Sequence, residues 1–278
     1  MPNIPNAAVT RRTVSAHLEA DVTAVAEVVL SLALAAGSDA DETLSITVDG
    51  QPVAAEVVEA VHGTRLHVVR DVPVGHLVVD YAAVLTGALA PTVAGTDGDA
   101  AERITYLRPS RYCESDTLAA VAGAEFGGLA GKDLLDAVSS WVGQHLRYVS
   151  GSSRPTDGAV QTYLAREGVC RDFAHLVVAL LRASGVPARL VSVYAPGLKP
   201  MDFHAVAEAR LAEGWCVVDA TTLAPRSGML RIATGRDASD TAFLTVQAGR
   251  VALTGMSVLA TMEPGLPEDD VTQLVQLA

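Results

Sequence analysis

The 278 residues are half apolar and 19% charged, enough chain and enough apolar side chain to bury a substantial core in one or two domains. The net charge of -12 sets a repulsive field against phosphates and anionic lipid, which excludes a general nucleic-acid or membrane-surface binder. Cys113, Cys170 and Cys216 are too few and too scattered for a disulfide framework and suit a reducing, cytoplasmic compartment; with no CxxC or Cys/His cluster, neither a structural metal nor a cofactor is expected.

Residues 11–87 read as β structure. Val14, Ala16 and Leu18 alternate with Thr13, Ser15, His17 and Glu19, the period of a half-buried strand. The apolar run Val28–Ala36 follows Arg11 and Arg12, as in a signal peptide, but Glu19, Asp21 and Glu27 intervene and the run is too short to span a bilayer. It is expected to be a buried strand. Leu44–Val48 followed by Asp49-Gly50 predicts a hairpin, and Arg65–Arg70 with His76–Leu85 around Pro73 and Gly75 predicts another. Several short strands with turns between them point to a small β-sandwich or barrel. The Gly-, Ala- and Asp-rich stretch 87–101 reads as a linker, dividing the chain into an N-terminal β-sandwich-like domain (1–100) and a second domain (101–278).

The second domain opens with helices. Ser115 and Asp116 are expected to cap a helix through Leu118 and Val121; apolar residues at helical spacing predict another over 132–147, and a third is expected near 157–166. A long apolar helix should run from Cys170 to Ser184, stopped by Gly185 and Pro187. Alternation then predicts strands at 188–194, 203–210 and 214–219, and a hairpin around Gln247–Arg250. Helices followed by a sheet make an α+β domain.

Cys170 stands where that helix begins. Unpaired backbone N–H groups and the positive end of the helix dipole favour a thiolate there and can donate to an oxyanion during acyl transfer. A buried structural cysteine fits the position equally well. His204, Val206 and Glu208 share one strand face, and Asp219 ends the next strand. Adjacent antiparallel strands would set His204 beside Asp219 and facing Cys170, so that the imidazole takes the thiol proton and the carboxylate orients the ring.

These residues sit in Gly168-Val-Cys170-Arg-Asp-Phe-Ala174, Gly185-Val-Pro-Ala-Arg189, Phe203-His204-Ala205 and Trp215-Cys-Val-Val-Asp219-Ala-Thr221. In order and spacing they resemble the core of the transglutaminase-like superfamily, within it a bacterial branch whose members carry the description cysteine protease. Arg231–Asp240 looks like a feature of that branch. The resemblance spans about 105–262 and implies a papain/transglutaminase-like core, a Cys-bearing helix packed on an antiparallel sheet. It also implies Cys170 as nucleophile, His204 as base and then acid, and Asp219 as the orienting carboxylate.

The chemistry so implied is attack on a protein or peptide amide, a thioester intermediate, and capture by water or an amine. Two other readings stay open: a low-turnover binding or assembly module, with the β-domain as a homo-oligomer or peptide-docking surface, and acyl transfer to a small amine. Gln161 is a candidate oxyanion donor, and Tyr194 and Asp202 are candidate rim residues of a substrate groove. Asp172 is expected to stabilise the helix end, His175 to be packed or hydrogen-bonded, and Arg236, Asp237 and Asp240 to line the cleft or pair with one another.

Overall fold

The computed structural model describes residues 10–87 and 100–277. The proposed linker lies, apart from its ends, outside the described residues. Among those residues the strands form a seven-stranded antiparallel sheet, a four-stranded antiparallel sheet and one two-stranded parallel pair.

The first sheet is built on β1 (Arg11–Leu30), a single strand of 20 residues. Its alternation holds, with Val14, Ala16, Leu18, Ala20 and Val22 all buried. The apolar run expected as a separate strand is partly the end of β1: Val28–Leu30 belong to it, and residues 31–35 continue as buried, non-strand chain. Next come β2 (Asp41–Val48) and β3 (Gln51–Pro52), joined by the expected two-residue turn, where Asp49 and Gly50 take φ of 48° and 75°.

Three more strands follow, β4 (Glu56–Glu59), β5 (Arg65–Val72) and β6 (Gly75–Thr86). Here the second expected hairpin does not form. β6 pairs with the first half of β1 and β5 with its second half, because β1 is long enough to seat both end to end. That arrangement curls the sheet over one shared core, which is the form the small β-sandwich takes.

The helices α1 (Ala100–Leu107), α2 (Ala119–Phe126) and α3 (Gly131–His145) come next. The helix expected from Ser115 starts later, at Ala119, with Leu118 at its cap, and Ser115 is buried. Then β7 (Arg147–Tyr148), α4 (Ala159–Ala165) and β8 (Glu167–Gly168) lead into α5 (Cys170–Ala183); β7 and β8 pair in parallel. The second sheet has the order β11–β10–β9–β12, from β9 (Ala188–Tyr194), β10 (His204–Leu211), β11 (Gly214–Val218) and β12 (Leu230–Gly235). α5 packs on β9 and β10, burying Leu176, Val177, Leu180 and Leu181 with Ala207, Ala209 and Val218.

The last helix and strand are α6 (Ala238–Thr241) and β13 (Leu244–Glu263). β13 is one continuous strand that pairs along the whole of β1, so the first sheet draws on residues from both ends of the chain. The hairpin expected at Gln247–Arg250 is a bulge within it. Gly249 has a φ of 83°, and a Cβ there would collide with the Val25 carbonyl across the ladder. Turn-type residues bend the strand here without reversing it.

The two sheets meet closely. Tyr194, Leu230, Ile232 and Ala233 are part of the first sheet's core. The Tyr194 hydroxyl donates to the Leu32 carbonyl at 2.8 Å, and the Ala35 N–H donates to the Arg231 carbonyl at 2.9 Å. A buried ion cluster ties the second sheet across three strands: Glu208 of β10 lies between Arg189 of β9 and Arg231 of β12, each at 2.7 Å. Burial alone would raise the Glu208 pKa, but the two guanidinium groups outweigh it and hold the carboxyl at about 2. Among the described residues, no helix is long and apolar enough to cross a membrane.

Candidate active site

Cys170 is the first residue of α5, and the turn that places it is fixed by its neighbours. Asp172 folds back so that its Oδ2 accepts the Val169 N–H at 2.8 Å, while its Oδ1 accepts the Ser153 hydroxyl at 2.9 Å. Arg171 donates to the Ser153 hydroxyl and the Arg154 carbonyl, both at 2.6 Å, latching the loop before α4 to this helix end. Gly168 is required by this packing, since a Cβ there would stand 2.6 Å from the Asp172 Cβ. Cys170 itself stays half-buried and opens on a cleft. Cys113 and Cys216 are buried, and burial pushes both thiols up, Cys216 to about 11.

His204 is the first residue of β10 and lines the same cleft. Its Nε2–H donates to Asp219 Oδ2 at 2.9 Å, and its Nδ1 has no protein hydrogen-bond partner. Asp219 lies just beyond β11, and its second oxygen accepts both the Thr221 N–H at 2.9 Å and the Thr221 hydroxyl at 2.7 Å. Burial disfavours an imidazolium at His204, but the charge and hydrogen bond of Asp219, with Cys170 nearby, reverse that and push its pKa up to about 10. Burial would likewise raise Asp219; His204 and Thr221 outweigh it and lower it. The pair is therefore held as imidazolium and carboxylate, with the Cys170 sulfur as its neighbour.

The cleft encloses about 480 Å³ where α5, the second sheet and the β1–β13 end of the first sheet meet. Chemically, a thiol at a helix N-terminus beside an oriented imidazole can attack a carbonyl and pass a proton to a leaving group.

The profile of the transglutaminase-like superfamily matches residues 124–220, the stretch holding Cys170, His204 and Asp219. A crystal structure named "Putative Cysteine Protease" from Cytophaga hutchinsonii superposes with a TM-score of 0.83 at 30% identity, covering 94% of this chain and 93% of that one. The chain belongs to the transglutaminase-like superfamily. An uncharacterized protein of Mycobacterium tuberculosis is 44% identical over 62 residues, 22% of this chain and 20% of its own length. One of Mycobacterium leprae is 30% identical over 89 residues, 32% of each chain. This chain therefore matches only a fifth to a third of the length of those curated relatives. The α+β superfamily fold, a Cys-bearing helix on an antiparallel sheet preceded by a curled β unit, is the one expected from the sequence.

Within this superfamily site, the weaker candidates fall in different places. Asp202 lines the cleft, and burial raises its pKa despite the Phe203 N–H and His204. Tyr194 does not rim a groove; it is fully buried, because its hydroxyl finds the Leu32 carbonyl and its ring packs in the core between the sheets. Gln161 is exposed on α4 and is not among the cleft-lining residues. His175 is buried, stacks on Tyr112 at 5.2 Å and accepts the Ala238 N–H at 3.1 Å. Arg236 and Asp240 pair with each other at 2.9 Å, and Asp237 caps α6 by accepting the Ser239 N–H at 2.9 Å.

The residue that sequence reasoning missed is Tyr148. The β7–β8 pair aligns it with Gly168, two residues before Cys170. Tyr148 is 45% exposed, and partial burial together with the neighbouring Cys170 pushes its pKa up to about 12. No local periodicity marks it; only a parallel pairing closed through α4 brings it there.

Proposed function

We propose that the protein is a thiol-dependent amide hydrolase or acyltransferase in which Cys170, His204 and Asp219 act as a triad. The observation that carries this reading is that His204, held from behind by Asp219, and the half-buried Cys170 line one cleft. The Cys170 thiolate attacks the carbonyl carbon of a peptide or protein amide, and the His204 imidazolium protonates the departing amine, leaving a thioester on Cys170. Water, or an amine acceptor, then gives its proton to His204 and its nucleophilic atom to the acyl carbon, releasing acid or new amide and the thiolate. The Cys170 N–H and the Tyr148 hydroxyl are the donors best supported for the oxyanion, in the role the sequence suggested for Gln161. Hydrolysis is favoured as the outcome because water needs no acceptor site.

The chemistry needs no group beyond the chain's own, and a cytoplasmic setting accords with the sparse free thiols. Self-association through the β-rich sheet is compatible with the reaction and not required by it. To test the reading, a peptide library is incubated with the protein, with and without a primary amine, and products and Cys170 adducts are read by mass spectrometry. Cleaved or amine-linked products with a transient acyl adduct on Cys170, all lost in Cys170→Ala, are expected. Equal turnover by wild type and Cys170→Ala would remove the assignment.

A further inference from the structure

The cleft extends past Cys170 and His204 to a wall that the proposed chemistry leaves unused. Leu190 and Ser192 of β9, Ile232 of β12, Phe243 and Leu244 before and within β13, and Ser31 after β1 form it. The charged lining residues, Arg171 and Asp202, belong instead to the segments carrying Cys170 and His204. On the far wall, Ser31 is only 3% exposed, and neither its Oγ nor that of Ser192 has a hydrogen-bond partner. Buried hydroxyls are nearly always paired, because an unpaired one forfeits the hydrogen bonds water gave it. Two on one otherwise apolar surface mark a place where a ligand supplies the partners. The surface is also aromatic at one side, where the Phe203 and Phe243 rings stack at 5.1 Å and both line the cleft.

We infer that this wall is a side-chain subsite for a peptide residue with an apolar, aromatic body and an uncharged hydrogen-bonding tip, of which tyrosine is the natural example. The inference rests on the reading of Cys170 as the acylated residue, and it gives the first sheet a part in substrate choice. A carboxylate or ammonium tip is disfavoured there, since the wall offers neutral hydroxyls and no counter-charge. The volume of about 480 Å³ suits one large side chain with its adjoining backbone.

The test separates the subsite from the chemistry. Cys170→Ala protein is titrated with p-cresol, toluene and p-toluate, followed by heteronuclear NMR. Saturable p-cresol binding that shifts the Ser31 and Ser192 amides, at least about fivefold tighter than toluene and with no binding of p-toluate, is expected. Ser31→Ala with Ser192→Ala should erase the preference over toluene, and Ile232→Trp should block the wall. Equal affinity for p-cresol and toluene, or no binding, would overturn the inference. In parallel, wild-type Cys170 is labelled by the chloroacetamide of tyramine, expected to react several-fold faster than the phenethylamine analogue. Selective p-cresol binding with unselective labelling would leave the subsite standing and remove only the assignment of Cys170 as its reacting neighbour.

Discussion

His204 gives its Nε2–H to Asp219 at 2.9 Å and leaves Nδ1 without a hydrogen bond, so the carboxylate sets the direction of the ring and favours its charged form. Thr221 holds the other Asp219 oxygen with two hydrogen bonds, making it a positioning residue one step removed from the chemistry. Asp219→Asn is expected to lower kcat by orders of magnitude, by analogy with the roughly 10⁴-fold loss when a serine-protease triad loses its carboxylate. Thr221→Val, which deletes one hydrogen bond worth about 1 kcal/mol, should lower kcat by roughly fivefold with KM unchanged. Steady-state kinetics of the two variants checks the order; equal losses would mean that Thr221 contributes more than orientation.

Tyr148 stands against Cys170 through the β7–β8 pairing. If its hydroxyl donates to the oxyanion, Tyr148→Phe should lower kcat by about 10²-fold or somewhat more and leave KM nearly unchanged, the signature of an interaction made in the transition state. Folding should be intact, because the ring contact with Phe173, at 5.9 Å, is retained. A change in KM alone would assign Tyr148 to substrate binding.

Glu208 is fully buried and is held ionised by Arg189 and Arg231. Glu208→Ala leaves the buried Arg231 without its counter-charge and Arg189 with only its longer contact to Glu102, at 3.4 Å, a loss of about 3–5 kcal/mol. Urea denaturation should show that drop in stability. The Glu208 pKa is lowered in the fold, so its stabilising contribution is present above the ordinary carboxylate range and is lost as pH falls toward about 2.

His175 behaves in the opposite way to His204. Burial, with the nearby arginines Arg171 and Arg182, holds its pKa down to about 3 against the pull of Asp237. Between about pH 6.5 and pH 3 the unfolded chain binds a proton here that the folded chain does not, so stability falls as pH is lowered through that window. His175→Gln can still accept the Ala238 N–H but cannot take up that proton. Its stability between pH 6.5 and 4 should therefore fall less steeply than that of wild type, by a slope of about one proton; parallel slopes would show that the proton is taken up elsewhere.

Much of the second half was legible because its signals are local. The apolar period of α5, the Gly185–Pro187 stop and the alternation of β9, β10 and β11 each lie within one element, and the motif around Cys170 ties them to a known core. The first sheet was less legible. Strand length decides its topology: β1 is long enough to pair with β5 and β6 in succession, and β13 returns from the far end of the chain. Gly249 reads as a turn because the positive φ it supplies serves a bulge as well as a reversal. In the site, Asp202 and His204 were within reach of sequence reasoning, whereas Ser31 enters the cleft, and Tyr148 comes to lie beside Gly168, through pairings that leave no trace in local pattern. Gln161 and Tyr194 misled for the same reason, since proximity along the chain says little about which side of a helix or sheet faces the cleft.

The most direct test of the central claim is the pH dependence of Cys170 alkylation by iodoacetamide, mapped by peptide mass in wild type and His204→Ala. With His204 held as an imidazolium by Asp219, Cys170 should label selectively over the buried Cys113 and Cys216. His204→Ala should slow labelling at pH 6 by about tenfold or more and change it little at pH 9.5. If Cys170 in the wild type labels with the pH profile of the variant, the pair is not an activated one, and the domain is a superfamily fold kept for binding.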